Sequence, residues 1–426
     1  MKLLIITYFY APDLNPRAFR WTAIASNLAR KGHQVDVLCA AVANGAANDR
    51  RDGVTVYRVR DWLLNASARV APKRESVPSG TGALSTLRAW VRRFVRVLWR
   101  AAYWPDYACG WLIPAFRLAG VLARQNRYDW IISVSLPFTG HLVGLFAKRR
   151  LPNVPWLVDI GDPFYLTKEP SHNNRWLYAA LSRAMENKVL MNAAAISATT
   201  EETKRQYEEH FAVDGGKVAV IPPLLSLPGP DLPPATRTDG VIRLVYVGTL
   251  YRRLRSPEPL LALFRAMVDA GGVQPLELHF YGSVNDCADT LALHVRTMGS
   301  RVFAHGLVGR AEVQMAMGDA DVLVNIGNAS AAQLASKVIE YMAMGKPILN
   351  LVSIERDASV AELADYPASF TIARFGGVAS ASVVAGALAF VTQSRPVGAA
   401  VVAKVRRKYS EDSVAGLYLS LLERKH

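Results

Sequence analysis

Hydrophobic positions along this chain fall into two kinds of run. Short uninterrupted apolar stretches have the length of strands buried on both faces, and longer stretches repeat their apolar residues at helical spacing. KLLIIT, beginning at Lys2, is the first such strand. RAFRWTAIASNLARKG then sets Phe19, Ala23 and Leu28 at helical spacing and stops at Gly32, and QVDVLCA is the next strand. The same reading makes strands of VTVYRV, YDWIISVS, VPWLVDI, AAISATT and KVAVIPP. Among them lie the helices LIPAFRLAGVLARQ, LPFTGHLVGLFAKRR, RWLYAALSRAMENKVLMNA and TEETKRQYEEHF. Alternation of this sort predicts an α/β domain with a parallel sheet.

The pattern breaks at PPLLSLPGPDLPPATRTDG, whose six prolines and two glycines cannot form a core element. Beyond it the alternation restarts, with VIRLVYVG, PLELHFYG, RVFAHG, DVLVNI and PILNLV as strands and SPEPLLALFRAMVDAG, DTLALHVRTMG and GRAEVQMAMGDA as helices. The predicted organisation is a first domain over 1–221, a linker over 222–240, a second domain over 241–399 and a last helix within 400–426.

The chain's chemistry centres on SKVIEYMAMGKP, Ser336 to Pro347, which follows the strand DVLVNI and a short polar loop. A strand, a loop and a helix opened by Ser336 and closed at Gly345 form the unit with which open α/β sheets build a ligand crevice. The unpaired N–H groups and positive dipole end of that helix suit a phosphate, and Lys337 adds a full charge. Glu340 lies one turn on, on the same face, where a carboxylate can accept two ribose hydroxyls; Val338 and Met342 face a core. A solvated Lys and Glu on a surface helix is the competing reading. GTLYRRLRSP places Gly248, Arg252, Arg253 and Arg255 at another strand's C-terminal end. In the first half, Ser133 and Ser135, then Asp159 and Asp162 of DIGDPF, also stand at strand ends. Arg17 and Arg20 lie near the start of the first helix, in reach of a phosphate or in solvent. His141 sits further into its helix and reads as structural.

Fifty Lys and Arg against 35 Asp and Glu leave a net charge of +15. That favours an anionic partner without choosing between nucleic acid, lipid headgroups and nucleotide sugars. Cys39, Cys109 and Cys287 are widely spaced, suggest a reducing compartment and offer no metal cluster. No apolar run approaches the ~20 residues of a membrane-spanning helix. The N-terminal MKLLIITYFYAPD lacks a cleavage site and reads as a first strand. LSTLRAWVRRFVRVLWRAAYWPDY combines one apolar face with Trp90, Trp99 and five arginines including Arg93. Such a helix suits the inner face of a cytoplasmic membrane carrying anionic lipid, or packs on its own domain with the arginines in water. Nucleic acid is not expected as a partner, because no recognised fold motif accompanies the patch.

SKVIEYMAMGKP resembles the donor-binding segment of GT-B glycosyltransferases, in the branch that assembles capsule, exopolysaccharide or O-antigen and carries a similar SKxxEYMAxGKP run. The resemblance extends to ARKGHQVDVL and to the run from Asp129 to Phe164. It implies a GT-B fold, two Rossmann-like domains with parallel sheets facing a central cleft, with residues 400–426 crossing back to the first domain. It implies Glu340 on the donor ribose and Ser336 with Lys337 near the diphosphate. The family's Gly-Arg-Lys positions after the first strand of the second domain become Gly248, Thr249 and, by spacing, Arg255, with Arg252 and Arg253 beside it. A second Glu, eight residues before the ribose Glu in many relatives, is here Ala332, and Ser135 stands where some retaining relatives have a His.

The function this implies is transfer of a sugar from a nucleotide-sugar donor to a lipid-linked or glycan acceptor. No cofactor and no metal are expected, with Lys337 and Arg255 acting on the leaving diphosphate. A retaining reaction needs no strong base; an inverting one would use Asp159 or Asp162. The acceptor or membrane side would include Arg17, Arg20, Ser135, Trp90, Arg93 and Trp99. Two alternatives stay open: a nucleotide-sugar 2-epimerase of the same fold, and a non-catalytic basic protein of membrane surfaces or nucleic acid.

Overall fold

The structure, a computed structural model, describes residues 1–13, 15–42, 48–62, 102–167, 172–225, 239–272, 274–331, 333–373 and 379–424. They form two compact units. The first comprises Met1–Thr199, Lys204–Pro222 and Val414–His426, and the second Thr200–Thr203 with Pro223–Ser413.

The first unit is built on eight strands: β1 (Lys2–Ile6), β2 (Gln34–Ala40), β3 (Asn48–Arg51), β4 (Val54–Val59), β5 (Trp130–Ser135), β6 (Trp156–Ile160), β7 (Ala195–Ala198) and β8 (Val218–Val220). Their order is β3-β4-β2-β1-β5-β6-β7-β8. Leu3, Leu4, Ile5 and Ile6 of the central β1 are fully buried, as an apolar run covered on both faces requires. Each such side chain stabilises the fold by roughly 1.5–3 kcal/mol. The strand order reverses between β1 and β5, and that topological switch point is where such sheets open a crevice beyond the strands' C-terminal ends.

The exposed β3, absent from the sequence reading, pairs antiparallel with β4. Asp52 and Gly53, both at positive φ, make its two-residue turn, and an Asp-Gly pair is the sequence sign of such a hairpin.

The second unit holds six strands: β9 (Ile242–Val247), β10 (Leu276–Tyr281), β11 (Val302–Gly306), β12 (Val322–Ile326), β13 (Ile348–Leu351) and β14 (Ser369–Ile372). Their order is β11-β10-β9-β12-β13-β14, and every pairing is parallel. Alternate residues of β9 serve two cores. Leu244 and Tyr246 pack with the helix Glu258–Asp269, while Val245 and Val247 pack with Val338, Tyr341 and Met342 of the helix Ser336–Ala343. Here the switch point lies between β9 and β12.

The predicted last helix is two helices, Ala399–Lys408 and Glu411–Leu422. Ser410 interrupts it by accepting, through Oγ, the backbone N–H of Ser413 at 3.2 Å. Glu411 and Asp412 then begin a fresh first turn that suits the helix dipole. The first of these helices belongs to the second unit, and the second from Val414 onward belongs to the first.

Candidate donor site and the strand-end cluster of the first unit

The helix Ser336–Ala343 begins with Ser336 as its first residue, not as its cap. The capping position is Ala335, and no side chain caps the helix start. First-turn N–H groups are thereby left for another acceptor. Val338, Ile339, Tyr341 and Met342 are buried, which fixes the opposite side of the helix in the core. Lys337 Nζ donates to Glu340 Oε2 at 2.5 Å. Their side chains are 32% and 11% exposed, so the cation faces outward while the acid sits at the edge of the packed core.

A tether aligns this helix with the neighbouring strand. Tyr341 Oη accepts from Val247 N–H at 2.9 Å and donates to Val247 C=O at 3.2 Å. Val247 ends β9, so the residue that follows it, Gly248, is fixed relative to Lys337 and Glu340. The turn after Gly248 is closed by backbone bonds in both directions between Tyr251 and Arg255. Arg255 Nε and Nη2 both donate to Asn328 Oδ1, at 3.1 and 2.6 Å, and Nη1 donates to the Thr249 carbonyl at 3.3 Å. Asn328 is almost fully buried and follows β12. The Arg255–Asn328 fork therefore spans the two loops of the switch point. A Cβ on Gly282 would lie 2.0 Å from the Gly248 carbonyl, so a glycine is needed for these strand ends to approach.

Arg252 and Arg253 lie at the exposed tip of the turn, and Arg252 is anchored on Asp286 through its backbone N–H and Nη2. A cavity of about 180 Å³ at the ends of β12 and β13 is lined in part by Arg252, Arg253, Ser256, Ile326, Gly327 and Leu351. Behind it runs a buried polar chain that the sequence reading missed. Asn325 donates to Asn350 at 2.7 Å, and Ser359 Oγ donates to Asn350 Oδ1 and Asp357 Oδ1. Burial raises the Asp357 carboxyl pKa against the opposing pull of Ser359. These residues carry no local periodic signal, although two asparagines inside apolar strands were the visible hint.

In the first unit the structure separates the four candidate polar residues. Asp159 is buried and fully engaged: Oδ2 accepts from Trp21 Nε1 at 2.9 Å, and Oδ1 accepts from Ser197 Oγ at 2.7 Å and Tyr418 Oη at 2.6 Å. Arg20, expected on the acceptor side, is 5% exposed and donates to the Pro222 carbonyl at 2.7 Å, the Ile221 carbonyl at 3.3 Å and Tyr418 Oη at 3.0 Å, so it fastens the last helix. Ser135 is likewise buried, with Oγ 3.4 Å from the Asp159 carbonyl.

Arg17 and Asp162 remain at the surface as a pair, Nη2 to Oδ2 2.8 Å, with side chains 18% and 34% exposed. Burial works against the Arg17 charge, but Asp162 and Asp159 outweigh it and raise its pKa. A Cβ on Gly161 would lie 1.9 Å from Arg17 Cζ, so this glycine gives the guanidinium its seat.

His141 is a core histidine. Its Nδ1 lies 2.8 Å from Ser133 Oγ, and burial lowers its pKa to about 3, leaving the ring neutral. The loop after Asp162 is held by Glu186, which accepts from Tyr165 N–H at 2.8 Å and Tyr207 Oη at 2.6 Å. Burial raises the Glu186 pKa to about 7.

Trp90, Arg93, Trp99 and Ala332 lie outside the described residues. Among the described residues no helix is long and apolar enough to cross a membrane.

Residues 18–223 match the family model of a glycosyl transferase 4-like domain. No curated protein matches the chain by sequence. Among solved structures the chain is similar to the apo form of the lipopolysaccharide outer core galactosyltransferase WaaB, with TM-score 0.59 and 13% identity over 99% of this chain and 98% of that one. It is also similar to a glycosyltransferase from Rickettsia africae ESF-5, with TM-score 0.61 and 10% identity over 99% and 97%. An α,α-trehalose 6-phosphate synthase from Burkholderia multivorans gives TM-score 0.61 and 14% identity over 99% and 98%. At these identities the likeness speaks for the fold, which is GT-B. The family match over residues 18–223, joined to that fold, supports a GT-B glycosyltransferase.

Proposed function

We propose that this chain transfers a sugar from a nucleoside-diphosphate sugar to a lipid-linked or glycan acceptor in cell-surface glycan synthesis. The observation that carries the reading is the construction at the second switch point. An uncapped helix start bearing Lys337 and Glu340 is tied through Tyr341 to the strand end at Gly248, whose loop carries Arg255.

The donor's diphosphate would lie at the helix start, near Ser336, Lys337 and Arg255, and its ribose on Glu340. Lys337 would exchange its internal partner for the diphosphate, freeing the Glu340 carboxylate for two hydroxyls. In glycosyl transfer, negative charge grows on the departing diphosphate, and fixed cations and N–H groups stabilise that charge more in the transition state than in the ground state. In this scheme Lys337, Arg255 and the helix start suffice, and no metal takes part.

Acceptor binding falls to the first unit. Of the two aspartates considered as a base, Asp162 is the one with exposed carboxylate surface, and it is paired with Arg17. An inverting reaction would use Asp162 to take the acceptor's proton; a retaining one would leave Arg17 and Asp162 to orient the acceptor. The basic net charge and the Arg/Trp segment fit an acceptor presented on an anionic membrane.

The test is a screen of UDP-, GDP-, ADP- and CMP-sugars against membrane-extracted lipid acceptors, read by mass spectrometry of the product. Transfer from one donor class supports the reading. Release of free or isomerised sugar with every acceptor withheld or supplied alike would point instead to a hydrolase or epimerase.

A further inference from the structure

The helix Arg175–Asn192 carries a water-facing side that a soluble surface helix does not need. Trp176 is 90% exposed, Leu177 54%, Leu181 44% and Met191 52%. At 100° per residue these fall with Ala180 and Ala184 on one side, opposite Ser182, Val189 and Leu190 in the core. Arg183 and Lys188 are the exposed charges on that side, and the only acid in the helix, Glu186, is turned inward and 3% exposed.

Beside it lies a groove of about 720 Å³, lined in part by Ala180, Arg183, Ala184, Asn187, Glu209 and His210. Its one carboxylate, Glu209, is paired with Arg205 at 2.5 Å. Arg175 at the helix start stacks over the Tyr165 ring at 5.0 Å and donates to the Tyr165 carbonyl at 2.7 Å.

Residues that follow the Arg/Trp-rich stretch in sequence also bond to this helix. Tyr178 Oη donates to the Ala102 carbonyl at 2.8 Å, and Asn173 Nδ2, just before the helix, donates to the Pro105 carbonyl at 2.7 Å.

We propose that this helix face docks on a bilayer carrying anionic phospholipid, with Trp176, Leu177 and Leu181 entering the interface and Arg183 and Lys188 meeting lipid phosphates. An apolar stripe flanked by cations, with no outward acid, is the pattern of an interfacial helix. A second copy of the chain is a poorer occupant, because a two-fold contact would bring the same cations together while the groove's one carboxylate, Glu209, is already paired with Arg205. The inference extends the membrane-bound acceptor reading of the proposed function to a named surface, and rests on that reading only for its biological use.

Flotation of the full chain with phosphatidylcholine vesicles, with or without phosphatidylglycerol, tests it. Wild type is expected to float with the anionic vesicles, less so at high salt, and not with the neutral ones. W176S/L181S should lower the bound fraction about tenfold at unchanged circular dichroism, and R183E/K188E should remove the preference for anionic lipid. The proposal is overturned if W176S/L181S floats like wild type, or if wild type does not discriminate between the vesicles. It is also overturned if sedimentation equilibrium shows a dimer that W176S/L181S dissociates. Nucleotide affinity measured on the same preparations separates the two readings: bilayer docking with no nucleotide bound would sink the transferase account alone, and the reverse result would sink this one alone.

Discussion

Tyr341 and Val247 are joined twice, the phenol oxygen accepting the Val247 N–H at 2.9 Å and donating to the Val247 carbonyl at 3.2 Å. They are 94 residues apart in sequence, and the contact sets the helix bearing Lys337 and Glu340 against the loop bearing Arg255. Tyr341→Phe removes the hydroxyl and with it both bonds to the Val247 backbone. The expected cost is about 2 kcal/mol of stability in urea unfolding, together with weaker nucleotide binding, since the two halves of the proposed donor site lose their common anchor.

Arg255 is held flat by its two N–H bonds to Asn328 Oδ1. Lysine keeps the charge but cannot form the fork, so Arg255→Lys should bind the donor with nearly native KM while kcat falls. Arg255→Ala should lose roughly 10²–10³ in kcat/KM, the range for removing one preorganised group that meets developing charge. Steady-state kinetics with the donor found by screening would check both.

Asp159 and Asp162, three residues apart, are predicted to fail differently. Asp159→Ala strands buried donors from Trp21, Ser197 and Tyr418, and should cost on the order of 3 kcal/mol or more in stability. Asp162→Asn, at a half-exposed site, should leave the melting temperature nearly unchanged and reduce transfer. Thermal unfolding and product formation, measured on both variants, separate the roles.

Glu186 makes a pH prediction. Its carboxyl is raised from 4.5 to about 7 by burial, against the lowering effect of its bonds from Tyr207, Tyr165 and Phe164. A raised carboxyl means that the folded state binds the proton more tightly than the unfolded chain. The stabilisation is therefore full below about pH 4.5 and is lost as pH rises through about 7. Glu186→Gln should flatten that decline, with the difference between wild type and variant changing by on the order of 3 kcal/mol across the window. Denaturant midpoints at several pH values provide the measurement.

The strands and the helix Ser336–Ala343 were legible because their signals are local. KLLIIT reads as a buried strand from five adjacent residues, and SKVIEYMAMGKP shows both its buried and its polar face within two turns. The roles of Arg20, Asp159 and Tyr418 were not legible: Asp159 and Tyr418 stand 259 residues apart, and nothing in the spacing of either announces the other. As a strand-end acid Asp159 reads either as a base or as a loop-capping carboxylate, and its partners Trp21, Ser197 and Tyr418 come from distant parts of the sequence. The short β14 and the helices Ala358–Leu363 and Ala381–Gln393 were also passed over. SFTI is too brief to show a period, and the helix ASVVAGALAFVTQ is apolar almost all round. The split of the last helix, by contrast, was written in Ser410-Glu411-Asp412 as a cap followed by an acidic turn.

The central claim is that Glu340 grips the ribose of a nucleoside diphosphate. Isothermal titration of UDP, GDP, ADP and CMP into wild type and into Glu340→Ala tests it most directly. The account predicts saturable binding of at least one nucleotide by wild type and its loss in the variant, at matched circular dichroism. Binding of equal affinity to both proteins, or to neither, would contradict it.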